Sequence, residues 1–591
     1  MRKSNILLAA FIGLAILSGC SSLNKMIKLA EQQKLDIVPS PLELHGDSVK
    51  YTASAVLPPK MLPEGYVFAV TNYYKFGEKE VEIGKMTFDA SDFPNQKTTT
   101  STKKESFAFA YQDGMATGDL EVMGTAIDPK GENKSTARKA MAKGLIVTSM
   151  MAEDVVYAAY AAPGYTDAEE LEPTNVDMYF DQGSAVLKGS EIKSDKGKKF
   201  NAFIADKNVT KTVTITGTHS PEGTETINSD LSANRAKAIE KYYRAQMKKY
   251  DYKDMADSIE FILKPVVEDW AGFKAALDAY DGISSEQKSE IVKIINGQGT
   301  FVDKEKAMQN LDSYKAVFKD VYPGLRAAKT EVLTVVEKKT NAEISMLAKQ
   351  IASGDTVNTA LSTEELLFAA TLTPSLDEKE AIYLAATKKD GSWVAHNNLG
   401  AVYVEKAGMS DGSTKTSLTE KAIAQLDIAA QKQNSVEVQA NKASALVLQG
   451  DKAQAYDAVK GALGSGAGSH TAGLNGVKGS IEVKLGDYKS AVASLNGAQE
   501  STKVAFNKGL ALLLSKDYEN ATTGFDSAIE SDEDFAKAYY AKAIAAARAG
   551  KQDEIAEPLK TAVSKDPKLK EKALSDLEFR DFAVIVAAAV Q

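Results

Sequence analysis

A chain of 591 residues exceeds what one hydrophobic core fills, so several domains are expected. Acidic residues outnumber basic ones, 80 to 71, for a formal charge of −9, and no basic cluster stands out, which argues against a nucleic-acid partner. With a single cysteine no intramolecular disulfide can form, so packing alone must hold the fold.

The chain opens with Arg2 and Lys3, an apolar run from Ile6 to Leu17, and then Leu17-Ser18-Gly19-Cys20 before Ser21-Ser22. An apolar stretch of roughly 7–15 residues with a small-residue exit is a secretory signal and is too short to span a membrane. The tetrapeptide resembles a bacterial lipobox, which implies cleavage after residue 19 or so and acylation of Cys20. Two or more acyl chains hold a protein firmly at a membrane, so the anchor is expected to be lipid. In such lipoproteins an Asp after the cysteine implies inner-membrane retention, and acidic residues there imply surface export in Bacteroidota-type bacteria. Here Ser21-Ser22-Leu23-Asn24-Lys25 stands instead, which implies the periplasmic face of the outer membrane. Residues 1–20 are read as signal and 21–41 as a polar tether that has room for a helical turn around Met26–Gln33.

Residues 42–156 change to short alternating runs between turn residues, among them Val49–Ala53, Tyr66–Val70, Ser106–Tyr111 and Leu120–Met123. That spacing predicts a β-sandwich-like domain, with a helical turn over Ala137–Met141. Tyr73, Tyr74, Phe76 and Tyr111 are the aromatics that a glycan- or ligand-binding face would use, and with them stands an alternative function, a surface-exposed binding lipoprotein. Residues 157–173, with Pro163, Gly164, several acids and Pro173, read as a linker.

Residues 174–340 begin with a strand over Asn175–Phe180, a helix over Glu191–Ala205 and a strand over Val209–Thr218. The loop His219-Ser220-Pro221-Glu222-Gly223 and a helix over Leu231–Lys248 follow, then a strand over Ser258–Lys264. A helical insertion at about 270–325 precedes the last strand, Glu331–Val336. Gly217 and Gly223, with Asn228-Ser229-Asp230-Leu231-Ser232-Ala233-Asn234-Arg235-Ala236, carry a resemblance to the OmpA-like peptidoglycan-associated domain. The resemblance implies an α+β fold and a clamp for a stem-peptide diamino acid. Arg235 and the helix start near Asn228 and Leu231 would grip the carboxylate, and a loop acid would receive the ammonium group. Ser220 occupies the acid's position here, and a hydroxyl cannot neutralise an ammonium, so the implied clamp is weakened.

Residues 341–591 are alanine-rich and self-similar. Gly450, Gly486, Lys516 and Gly550 recur near the roughly 34-residue period of tetratricopeptide repeats, which the region resembles. Each is followed by small and apolar positions, such as Ala455, Val459 and Ala462, or Ala521, Phe525 and Ala528. About five units are expected, the first lengthened by a Gly/Ser/Thr-rich loop at Gly408–Ser417, and the region is expected to fold alone. The resemblance implies an all-α solenoid that binds protein partners.

His45, His219, His396 and His470 lie scattered along the chain, and no phosphate loop or zinc spacing is present. The chain is therefore read as a multidomain, non-catalytic scaffold of the cell envelope without metal or cofactor. It would bind envelope proteins through its repeats and peptidoglycan through its middle domain, in envelope organisation, secretion or assembly machinery. A carboxylate-only hydrolase is the one enzymatic class the residues leave open.

Overall fold

The computed structural model describes residues 22–591, and Cys20 with the signal segment lies outside them. The chain forms two compact units. One combines residues up to Tyr165 with Asn341–Gln591, and the other is Thr166–Thr340.

In the first unit, Ser48–Leu57 pairs antiparallel with Lys34–Val38, Leu42–His45 and Ser101–Ala110, and Leu145–Ile146 runs parallel to Leu42–Glu43. A second sheet centres on Val67–Phe76 and Asp119–Ile127, with Lys79–Asp89, Asn133–Ser135 and Lys139–Lys143 at its margins. Strict alternation drives the burial. Val49, Tyr51, Ala53, Ala55 and Leu57 point inward from one strand, and Leu120, Val122 and Ala126 from another, into one shared apolar core. Two expectations fail here. The presumed tether folds: residues 22–30 are helical and bury Leu23, Met26 and Ala30 in that core, and Lys34–Val38 joins the sheet. The turn expected over Ala137–Met141 gives way to the strand Lys139–Lys143, which buries Ala142, and a register shift beside Leu120 leaves Met141 unpaired and half-buried against the same core.

Five helix pairs make the repeat region, from Trp393–Gly408 with Gly412–Lys432 to Ala536–Arg548 with Ala556–Lys565. Between them stand Val436–Gln449 with Lys452–Gly464, Thr471–Leu485 with Tyr488–Asn496, and Thr502–Leu514 with Tyr518–Ser531. The recurring small and apolar positions, Ala422, Leu426 and Ala429 among them, are fully buried where paired helices meet. Tetratricopeptide-like packing follows from this repetition of one supersecondary unit. Gly450, Gly486 and Gly550 take left-handed backbone at the turns between paired helices, and Lys516 adopts the same conformation, with φ 68°, at the equivalent turn. The loop expected at Gly408–Ser417 is shorter than foreseen. Its second half extends the helix Gly412–Lys432, where the Thr416 and Thr419 hydroxyls donate to carbonyls one turn back.

The middle unit has a four-stranded sheet in the order Leu171–Tyr179, Ala327–Val335, Thr210–Gly217, Glu260–Pro265, with the last two parallel and the other pairs antiparallel. Asp195–Ala205 and Glu225–Lys249 supply Phe200, Ile204, Ala236, Ile239 and Tyr243 to its core. A Cβ at Gly217 would lie 1.9 Å from the Ser232 carbonyl oxygen, so only glycine lets strand and helix approach this closely. The helices of residues 270–325 have their own core of Phe273, Leu277, Ile291, Ile295 and Tyr322. Within it the Glu305 carboxyl, raised by burial, accepts from the Tyr314 and Tyr322 hydroxyls at 2.6 and 2.5 Å.

Candidate functional site: a groove that holds its own chain

Alanine-rich helices rarely bury carboxamides, yet Asn397, Asn398, Asn441, Asn507 and the hydroxyl of Ser444 are all fully buried in the repeats. Their partners explain them. The segment from Glu153 to Tyr165, expected to begin a linker at residue 157, runs in extended conformation against the first helices of the repeats. Asn507 accepts from the Glu153 amide and donates to its carbonyl, both at 2.9 Å. The Ser444 hydroxyl does the same for Tyr157, at 2.9 and 2.8 Å. Asn441 pairs with Ala159, both bonds 2.8 Å, and Asn398 with Ala161, at 2.8 and 3.0 Å. Asn397 donates to Ala159 as well and, with Asn441 and Asn398, forms a continuous chain of carboxamides. A carboxamide or a hydroxyl offers both donor and acceptor, so Asn398, Asn441, Ser444 and Asn507 each meet one residue's N–H and C=O as a neighbouring strand would.

Side-chain chemistry fixes the register of this strap. Glu153 is held by Lys503 and Lys537, and Asp154 by Lys415 and Lys484. Val155 lies over Gly476, and the Tyr157 ring occupies the space a Cβ at Gly473 would fill, 2.2 Å from it. The Tyr157 hydroxyl reaches His470 Nδ1 at 2.8 Å, and Glu437 stands 3.7 Å from the other ring nitrogen. Ala159 and Ala161 are buried where the carboxamides press close. Tyr160 stacks on Tyr383, and Tyr165 on Phe368 with ring centroids 4.5 Å apart. Residues 157–165 are therefore a bound part of the repeat unit rather than a linker, and residues 171–173 already belong to a strand of the middle unit.

Burial alone would raise the Asp154 carboxyl, but the Lys484 and Lys415 ammonium groups outweigh it and hold the pKa below the usual range. A depressed carboxylate contributes stability above the unfolded value of about 3.9 and loses it as pH falls below that. Asp154→Asn is accordingly expected to lose about 1–2 kcal/mol near pH 6 and less near pH 3, the difference shrinking as pH falls through the lowered folded value. Urea unfolding of both proteins at the two pH values checks it, and a pH-independent difference would contradict it.

In the middle unit the sequence-derived positions lie together but face inward. The helix starts at Glu225 with Thr224 as its cap, so Asn228 and Leu231 sit inside it rather than at its tip. The expected helix-end anion pocket beside Arg235 is thus displaced by about two turns. Arg235 is 1 % exposed and donates to the carbonyls of Ser184, Thr218 and Asp181 at 3.0, 2.7 and 3.2 Å. Burial and the nearby Arg326 bring its pKa down to about 10, which leaves it charged at neutral pH. Ser220 is buried and accepts from Arg326 Nε at 2.9 Å, and Glu222 stands 2.8 Å from Arg326 Nη2. Arg326, which the motif did not single out, therefore occupies the loop beside Ser220 and Glu222. Asn228 is buried next to Gly223, and Leu231 is half-buried.

The aromatics of the alternative reading are core residues. Tyr73, Tyr74 and Phe76 are buried, and Tyr111 is half-buried against the same core. Among the described residues no group of three or more His, Cys, Asp or Glu is placed to hold a metal, and no helix is long and apolar enough to cross a membrane.

No family model matches the chain, and a search of curated proteins found no match. Solved structures similar to part of it include YrrB, described as a tetratricopeptide-repeat protein with an unusual peptide-binding site. It is 19 % identical over 35 % of this chain and 96 % of its own, with a TM-score of 0.27. PilF of Pseudomonas aeruginosa is 17 % identical over 42 % of this chain and 99 % of its own, with a TM-score of 0.29. A tetratricopeptide repeat protein from Parabacteroides merdae is 14 % identical over 39 % and 97 %, with a TM-score of 0.27. At these values the assignment of tetratricopeptide-like repeats rests on the five helix pairs of this chain itself, a region of the kind that binds protein partners.

Proposed function

We propose that this chain is a non-catalytic envelope scaffold, acylated at Cys20 and held on the periplasmic face of the outer membrane, that positions protein partners through its repeats. The observation that carries it is the ladder of Asn398, Asn441, Ser444 and Asn507, a groove built to recognise extended polypeptide backbone. A catalytic reading finds no comparable support in the scattered histidines. Crosslinking in intact cells followed by capture of the full chain tests the scaffold, and recovery of no envelope protein would sink it. For the anchor, Cys20→Ser is expected to move the protein from the membrane to the soluble envelope fraction. Retention of the variant on membranes in high salt would reject lipid at this residue.

Peptidoglycan contact by residues 174–340 is a second reading, supported by the Asn228–Ala236 motif and by the glycine-dependent approach of Gly217 to Ser232. With Arg235 committed to three carbonyls, Arg235→Ala is expected to act through stability and cost the middle unit about 3 kcal/mol. Cosedimentation of the folded variant with purified wall should match the natural chain. A loss of wall binding without a loss of stability would instead make Arg235 a direct ligand.

A further inference from the structure

We propose that Glu153–Tyr165 is a resident ligand of the repeat groove, and that a protein partner enters the groove by displacing it with an extended segment of the same chemistry. That chemistry is two adjacent acids, an aromatic shortly after them, and small residues at the alternate positions that follow, as in Glu153, Asp154, Tyr157, Ala159 and Ala161. The inference rests on the scaffold reading and adds to it the identity of the site and the gate upon it.

Release of the strap breaks side-chain bonds to its backbone and no strand pairing. Its backbone pairs with no strand among the described residues, and the bonds to Glu153, Tyr157, Ala159 and Ala161 come from asparagine and serine side chains. Because those bonds engage N–H and C=O rather than side chains, they fit any extended chain that leaves room at the small positions. Selectivity falls to the ends. Lys415, Lys484, Lys503 and Lys537 converge on two acids and leave positive charge behind when the acids withdraw. Charge complementarity of this kind steers encounter and rejects wrong partners. Gly473 and Gly476 leave a slot for an aromatic and a branched side chain, closed by His470. At the intervening positions Val156 and Tyr160 pack against the core of the first repeats, whereas Ala158 is half-buried and Ala162 is exposed. Just beyond, Pro163 and the left-handed Gly164 break the extended run.

The test uses the full chain and a fluorescein-labelled peptide with the sequence Met151–Tyr165. Ala159→Trp cannot fit beneath the carboxamides and expels the strap while leaving every groove residue in place. The peptide is expected to bind this variant at least about tenfold more tightly than the natural chain, and to lose at least about tenfold when its two acids become lysine. Equal binding to both proteins, with helical circular dichroism intact, overturns the proposal. So does equal capture of crosslinked partners by both proteins, an outcome that would leave the scaffold standing. Hydrogen exchange on the natural chain decides the matter independently of any variant. The amides of Glu153, Tyr157, Ala159 and Ala161 should exchange by local opening, well ahead of those in the Thr471–Leu485 helix. Exchange of both sets only through global unfolding rules displacement out.

Discussion

Replacing Arg548 with alanine is expected to destabilise the repeat-bearing unit by about 3–5 kcal/mol, the range for removing one partner from a buried charge cluster. One guanidinium joins distant stretches of chain here. Arg548 Nη2 lies 2.5 Å from Glu43 and 2.6 Å from Glu578, and its Nε donates to Glu578 at 2.8 Å. Thr148 donates to the same Glu578 carboxylate. Without the arginine two carboxylates remain buried near one another with nothing to balance them. Burial alone would raise the Glu43 carboxyl, but His45 and Arg548 together bring it down to about 2. Its contribution is therefore complete above the unfolded value of about 4.3 and drains away as pH falls towards 2. Urea unfolding near pH 7 should show the full loss, and near pH 3 the variant should recover part of it. A shift below about 1 kcal/mol near neutral pH would mean that solvent screens the cluster.

Asn441→Ala is the second large effect expected, about 2–4 kcal/mol. The substitution leaves the buried N–H of Ala159 without its bond, leaves its C=O with the Asn397 donation alone and opens the carboxamide chain at Asn397. Each buried group left unpaired costs about 1–3 kcal/mol, and the Asn397 donation to Ala159 recovers part of that. The loss should be local. The Ala159 amide is expected to lose its hydrogen-exchange protection while the helix Lys452–Gly464 keeps its own. Uniform loss of protection across the repeats would show that the strap and the helices unfold as one.

Periodicity made the architecture legible, because it is a local property. Alternation over Val49–Ala53 and Leu120–Met123 marked strands, and the spacing of Ala455, Val459 and Ala462 marked packed helices. The strap was not legible, because its partners lie hundreds of positions away. A segment reading Val-Val-Tyr-Ala-Ala-Tyr-Ala before Pro163-Gly164 has the composition of a strand, yet no strand pairs with it. Its signal lay instead in Asn397, Asn398, Asn441 and Asn507, polar residues at inward positions of apolar helices. Such residues ask for a partner, and the repeat region expected to fold alone is for that reason one half of a domain. The tether was misjudged for a related reason. Leu23, Met26 and Ala30 are too few to declare more than the helical turn expected around Met26–Gln33, and the sheet beneath them is what buries a full helix. At the motif of Asn228–Ala236 the helix was expected from Leu231, whereas it begins at Glu225 and turns Arg235 inward.

The separation of the strap from its groove sets the timing of folding. Glu153 meets Asn507, which is 354 positions later in sequence, and Glu43 meets Arg548 across 505 positions, with the whole of Thr166–Thr340 between strap and groove. Closing loops of this length is slow, since entropy must be spent before any distant bond rewards it. The middle unit, whose strands and helices are contiguous in sequence, closes far shorter loops. The contacts that join the two ends of the chain, Glu153 with Asn507 and Glu43 with Arg548, are therefore expected to form after it.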